Sequence, residues 1–261
     1  MVSAADRVKK SARMSVWLSG KTMRARRPSD PGHPAGLDRE RIIAASVRLL
    51  DAEGLAKFSM RRLAAELNVT AMSVYWYVDT KDDLLELALD SVFDELEVHD
   101  ESADWRDRLR ATATAYRGLL VRHTWMSALL GTFLNIGPHS MRFSMAVQDI
   151  VRASGLSPRG QMGGLAAVFQ FVYGFGTIEG HFVQRCASAG MTQDEYFQEA
   201  MGTIAANPEA REVLAKSTKL MEARAGDTVA EMRERDFEFA LDILVAGIET
   251  MTRREAGEAA R

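Results

Sequence analysis

The side chains with the clearest chemical purpose fall between residues 55 and 81, in LAKFSMRRLAAELNVTAMSVYWYVDTK. Arg61, Tyr75, Trp76, Tyr77 and Lys81 supply guanidinium, phenol, indole and ammonium donors within a short span, a set suited to phosphate oxygens. Thr70, Ala71, Met72 and Ser73 stand just before the aromatic run, and the small residues among them let a backbone approach base edges. Catalytic chemistry has thinner support. There is no nucleophile–base motif, no phosphate loop and no cluster with metal-ligand spacing. His33, His99, His123, His139 and His181 are scattered, and Glu179 and His181, two residues apart, do not share a helical face. No catalytic residue, metal site or cofactor is assigned.

The donors need a frame. Ser59 is a natural N-cap, and Met60, Leu63 and Leu67 recur at the spacing of one helical face. Asn68 tolerates the left-handed conformation that a sharp bend between helices requires. Thr70 can cap a second helix whose inward positions are Val74 and Val78. Two helices joined by so short a turn form a helix-turn-helix, the layout that sets a recognition helix in the DNA major groove. Thr80 and Asp83 have capping-box spacing for the next helix. Lys81 there opposes the helix dipole, so it reads either as a phosphate contact or as a solvated surface lysine. A supporting helix runs from Asp38 to Gly54 with Ile43, Val47 and Leu50 as its stripe, Ile42 and Leu49 beside them, and Leu55 and Phe58 closing the small core.

The residues 37–96 resemble the DNA-binding head of the TetR (tetracycline repressor-like) family. ASVRLLDAEGL at 45–55, SMRRLAAELNVTAMSVYWYVDTKDDLL at 59–85 and the Tyr75-Trp76 pair followed by Lys81 carry the resemblance. Asn68 departs from the usual glycine of the family, and Tyr77 from the histidine of the close tetracycline repressors. Further on, DWRDRLRATATAYRGLLVRHTW, GLSPRG and FEFALDILVAGIETM resemble the C-terminal domain of the tetracycline-repressor subgroup, extending the likeness to about residue 254. The resemblance implies a dimeric, ligand-responsive regulator. It also implies that Thr112 and Tyr116 replace an Asn and a Phe of the tetracycline-binding subgroup, and that its metal-binding His falls near Leu130, so a drug–magnesium complex is not the expected ligand.

With 261 residues, 47% hydrophobic and rich in helix formers, the chain reads as all-α: a three-helix helix-turn-helix domain followed by a larger helical ligand-binding and dimerisation domain. The expected divisions are a disordered basic extension over 1–36, the DNA-binding domain with its connecting helix over 37–98, the body over 99–254 and a tail over 255–261. The net charge of −3 conceals an asymmetry. Residues 1–36 carry eight Lys and Arg against two Asp and Glu, a net of +6, which leaves −9 on the rest. Arg24, Arg26 and Arg27 in this arm can reach a minor groove, add phosphate attraction or make no specific contact. Cys186 is the only cysteine, which points to a reducing cytoplasm. Neither a bilayer-spanning run nor the apolar segment of a signal peptide is present.

In the body, a lever helix is expected from Thr80 to about Val98, an acidic linker at 99–104 and a helix from Asp104 to about His123. Asn135–Pro138 reads as a loop, and Ser157 and Pro158 open another helix. Residues 165–183 are apolar all round, which predicts a helix buried all round. After Asp227 the last helix carries one stripe of Phe237, Ala240, Leu241, Leu244, Ile248 and Met251 and a second of Phe239, Ile243 and Ala246. Two apolar faces predict a homodimer through helices near 158–185 and 227–253, and hence a palindromic double-stranded operator. Residues 191–225 read as a flap beside a ligand entrance or as a plain surface insertion. Trp105, Thr112, Tyr116, His123, Trp125, Met126, Leu130, Phe133, Phe169 and Tyr173, with Leu129, are the candidate walls for a small hydrophobic or aromatic inducer. The competing readings are an enzyme using His123 or Glu179 with His181 as acid and base, and a protein that attracts DNA without sequence preference.

Overall fold

The computed structural model describes residues 15–18, 37–96, 104–210, 212, 216 and 226–259. Every regular element among them is helical. The basic residues Arg24, Arg26 and Arg27, most of the 99–104 linker and most of 211–225 lie outside the described residues.

The capping chemistry read from the sequence sets the first four helices. Helix α1 (Arg39–Glu53) starts where the Asp38 carboxylate accepts the Arg41 N–H at 2.7 Å and stops at Gly54, whose φ is 77°. Helix α2 (Met60–Glu66) starts at Ser59, whose hydroxyl accepts the Arg62 N–H at 3.2 Å. Asn68 follows with φ 55°, and Thr70 opens α3 (Ala71–Tyr75). Thr80 and Asp83 exchange hydrogen bonds of 3.0 Å at the start of α4 (Lys81–Val92). Ile42, Leu50, Leu63, Val74 and Leu84 are fully buried and knit the four helices together.

Two details differ from the sequence reading. On α1 the buried face is Ile42, Ala45, Ser46, Leu49 and Leu50, while Ile43 and Val47 are only half-buried. Ser46 tolerates that face because its hydroxyl donates to the Ile42 carbonyl at 2.8 Å. The lever helix also stops earlier than expected. After Val92 the chain tightens into a 3-10 turn, Phe93–Glu95, with the Phe93 N–H donating to Asp90 and Ser91.

Helix α4 buries two carboxylates, Glu86 (3% exposed) and Asp90 (4%). Asp90 accepts the Ser140 N–H and hydroxyl, both at 2.9 Å, and the His139 N–H at 3.3 Å. It thereby caps the start of α7 (Pro138–Ala153) from another helix. A Cβ on Gly137 would stand 2.3 Å from the Asp90 carboxyl carbon, so the chain reaches this carboxylate only through a glycine. Glu86 accepts the Val16 N–H at 2.8 Å and the Ser15 hydroxyl. Ser15–Leu18 thus form a turn with Ser15 and Val16 buried, which corrects the expectation of disorder for that part of the N-terminal extension.

These bonds explain why residues 122–146 group with the described residues of 1–98 as one compact unit, across the domain boundary read from the sequence. The short helix α6 (Met126–Leu130) packs on α4, and Phe143 lies against Phe93 with ring centres 5.6 Å apart. His123 places Nδ1 2.7 Å from Asp51 and Nε2 3.0 Å from Glu95. Trp125 donates its indole N–H to Asp51 at 2.7 Å, and Arg122 pairs with Glu95 at 3.0 Å. A ring with a carboxylate at each nitrogen satisfies both as imidazolium. Burial lowers its pKa, but the hydrogen bonds and charge of Asp51 and then Glu95 outweigh this and hold it above the ordinary value.

The second unit contains the described residues of 99–121 and 147–261. Its helices are α5 (Trp105–Arg122), the end of α7, α8 (Pro158–Ser188), α9 (Gln193–Ala206) and α10 (Val229–Ala259). Asp104 caps α5 through the Arg106 N–H at 2.8 Å, Ser157 and Pro158 open α8, and Thr192 and Glu195 form a capping box at α9. The last gives helical structure to the first part of the expected flap. On α8 the buried stripe is Gly164, Val168, Val172, Gly176 and Gly180, four residues apart. At Gly176 an added Cβ would lie 3.1 Å from the Leu120 side chain, which marks a close α5–α8 approach. Arg117 is buried between Glu179, at 2.6 and 3.0 Å, and Glu234, at 2.7 Å, with its guanidinium 4.5 Å from the Phe237 ring centre.

The expectation of an α8 buried all round is corrected for the single chain. Met162 and Ile178 on α8 are exposed, as are Phe239, Ile243 and Met251 on α10, while Phe237, Leu241, Val245 and Ile248 are buried. Each long helix has one apolar face turned into its own unit and apolar residues left over.

Two substitutions test this account. Asn68→Ala should lower unfolding stability by about 1–2 kcal/mol, and Asn68→Gly should not, because only a Cβ without a local hydrogen-bonding group penalises the left-handed conformation; chemical denaturation midpoints measure both. For His123, the raised folded-state pKa places its contribution fully below the unfolded-state value of about 6.5 and removes it as pH rises through the folded-state value. The stability gap between the native protein and His123→Asn should therefore be widest in acid and narrow in alkali, read from urea denaturation across pH.

Candidate nucleic-acid interface

Helices α2 and α3 hold the expected donors at fixed angles because their inward positions are fully committed. Val74 and Val78 are buried, so the other side of α3 faces outward. There Met72, Tyr75 and Trp76 are 69%, 43% and 48% exposed. They stand three and four residues apart and share a helical face. Thr70 is exposed and Ala71 and Ser73 are half-buried. The Thr70 hydroxyl accepts the Ser73 N–H at 3.2 Å and lies 2.9 Å from the Ser73 hydroxyl.

The two arginines of α2 separate cleanly. Arg62 is held by Glu53 at 2.6 Å and Glu66 at 3.2 Å, whereas Arg61 points to solvent on another face. Tyr77 and Lys81 are anchored within the chain. The Tyr77 phenol donates to the Leu37 carbonyl at 2.5 Å, and burial followed by the charge of Asp38 pushes its pKa up. The Lys81 ammonium donates to the Phe58 carbonyl at 2.8 Å and sits 5.5 Å from the Phe58 ring centre. These bonds give a cation at the start of α4 a structural reason: it ties that helix to the loop before α2.

The expected wall residues of the ligand site fall into two groups. In the second unit Thr112 and Tyr116 are buried on α5, and the rings of Tyr116 and Phe169 lie 5.9 Å apart. Burial, followed by the nearby Tyr173, pushes the Tyr116 phenol up. Trp105 is half-buried, with the Arg106 guanidinium 4.7 Å from its ring centre. In the first unit His123 and Trp125 bind Asp51, and Met126 is fully buried core. Leu130 and Phe133 are half-buried, and their carbonyls accept the Asn135 amide at 2.9 and 3.2 Å.

Sequence reasoning missed Asp51, Glu95, Glu86 and Asp90. The last two left a readable signal: two carboxylates at i and i+4 inside the apolar run LLELALDSVF. Asp51 and Glu95 left none, because their partner His123 lies 72 and 28 residues away. The acid–base pair weighed for an enzyme does not converge, since Glu179 is committed to Arg117 and His181 is exposed. Among the described residues no group of His, Cys, Asp or Glu is arranged to hold a metal ion, and no helix is long and apolar enough to cross a membrane.

Comparison with known proteins agrees with this geometry. Residues 42–88 match the model of bacterial regulatory proteins of the tetR family, and residues 99–252 match the tetracyclin repressor-like C-terminal domain. An HTH-type transcriptional regulator of Saccharopolyspora erythraea is 40% identical over 139 residues, which span 53% of this chain and 59% of that protein. The HTH-type transcriptional repressor DrrR1 of Streptomyces coeruleorubidus is 31% identical over 248 residues, 94% of this chain and 87% of the relative. Among solved structures, the Streptomyces coelicolor TetR family protein ActR in complex with actinorhodin is similar at a TM-score of 0.64, with 26% identity over 82% of this chain and 96% of that one. With an outward recognition helix in the head and both halves of the chain matched, the protein belongs to the TetR family of DNA-binding transcriptional regulators.

Proposed function

We propose that the protein is a homodimeric, cytoplasmic repressor that holds a palindromic operator when empty and releases it when a small, largely apolar or aromatic inducer binds in the second unit. The observation that carries this reading is the polarity of α3: Val74 fully buried, and Met72, Tyr75 and Trp76 exposed together on the opposite side. Arg61, Tyr75 and Trp76 serve as phosphate-facing donors that fix the register of the helix in the groove. Thr70, Ala71, Met72 and Ser73 form the part nearest the bases. Tyr77 and Lys81 contribute by holding the frame, with their remaining hydrogen-bonding capacity turned to the backbone of the DNA.

The apolar residues left exposed on α8 and α10 support a second copy as their partner. A two-fold pair carries two recognition helices and favours half-sites about 34–36 Å apart, or multiples of that distance. The Thr112, Tyr116, Phe169 and Tyr173 cluster offers aromatic walls with hydroxyl groups, suited to a flat ligand of mixed polarity. The likeness to ActR, whose structure holds actinorhodin, supports a ligand-responsive body. Release follows by population shift, since an inducer that prefers the non-binding state depletes the operator-bound one. The protein acts by binding rather than turnover.

Arg61→Ala and Tyr75→Ala should each weaken operator retention in a gel shift by about tenfold or more, equivalent to about 1.4 kcal/mol, while light scattering still shows the dimer. Unchanged retention in both variants would reject the assigned contacts.

A further inference from the structure

We infer that the recognition helix reads thymine methyl groups, with Met72 as the residue that sets sequence preference. This rests on the DNA-binding reading above and deepens it.

Residues 70–78, TAMSVYWYV, include no Arg, Lys, Asn, Gln, Asp or Glu. Guanine is read by Arg or Lys, adenine by Asn or Gln, and the cytosine amine by Asp or Glu, and this stretch offers none of these partners. Besides the phenols of Tyr75 and Tyr77, two short hydroxyls remain, on Thr70 and Ser73. They bond each other at 2.9 Å, and the Thr70 oxygen also accepts the Ser73 N–H at 3.2 Å. The cap that starts the helix thus engages these short polar groups at its leading end and leaves one hydroxyl hydrogen between them. What projects there is apolar: the Ala71 methyl and the Met72 thioether, 69% exposed.

The major-groove edges present one apolar feature, the 5-methyl group of thymine. An unbranched, polarisable Met side chain can follow such a methyl through small changes in groove shape. Tyr75 and Trp76 sit three and four residues farther along the same face, so a backbone contact through their donors sets Met72 toward the bases. The half-site therefore carries thymine, or another 5-methylpyrimidine, beneath Met72.

The test uses the full-length protein. Bound duplexes are selected from a random pool, and each thymine of the recovered half-site is replaced in turn by deoxyuridine, which removes the methyl and keeps every hydrogen-bonding group. One position should lose about fourfold in affinity per methyl, and about fifteenfold when both half-sites are changed. Met72→Ala should bind the thymine and uridine operators equally, and Met72→Leu should keep the preference for thymine. Circular dichroism checks that both variants fold; the uridine scan on the native protein tests whether a thymine methyl is read, and the Met72 variants test which residue reads it. If a palindrome is recovered but no uridine substitution weakens binding, or Met72→Ala keeps the full uridine sensitivity, this inference fails and the regulator reading stands. If no sequence is enriched at all, both fail.

Discussion

A carboxylate taken out of water must be met by donors, and α4 takes two out of water at once. Glu86 and Asp90 lie in the middle of an apolar helix, each too costly to bury unless hydrogen-bonded. Their donors come from opposite ends of this unit's sequence, Ser15 and Val16 for one, His139 and Ser140 for the other. The helix that follows the recognition motif is therefore also the place where distant segments are recruited. His123 extends the logic to the next turn, linking Asp51 at the end of α1 to Glu95 just past α4 through one ring. The packing within this unit thus depends on charge satisfaction as well as on its apolar core.

The outward face of α3 follows from a simpler rule. A five-residue helix has few inward positions, and Val74 with the following Val78 uses them. Ala71 and Ser73 are half-buried, and Met72, Tyr75 and Trp76 face outward. The aromatic residues at 75 and 76 have an apolar body and a polar tip, which suits a surface that alternates between water and a nucleic-acid backbone. Arg62 is neutralised by Glu53 and Glu66 while Arg61 is left outward, so one of two adjacent, chemically equivalent residues is committed to the fold and the other is not.

In the second unit the same division appears along the length of the helices. Glycines 164, 176 and 180 on α8 open one side to its neighbours, and Arg117 fills its buried niche with two carboxylates and the stacked Phe237. A guanidinium so enclosed gives the packing a fixed geometry. On the other sides of α8 and α10, Met162, Ile178, Phe239, Ile243 and Met251 stay exposed, the surface on which the proposed two-fold assembly would close.

The sequence by itself determined the capped helix starts, the left-handed turn at Asn68 and the outward aromatic face, because caps, dihedral preferences and helical periodicity are local properties carried by neighbouring residues. It also carried the family likeness, since the same run of residues builds the recognition motif. Tertiary structure alone decided which charges are buried and with whom. Asp51 with His123, Glu86 with Ser15 and Arg117 with Glu234 are joined across about 70 residues or more, and nothing in the residue types selects one distant partner over another. It also moved Tyr77 and Lys81 from free donors to anchored ones, because the carbonyls they meet, at Leu37 and Phe58, become neighbours only when the chain has folded.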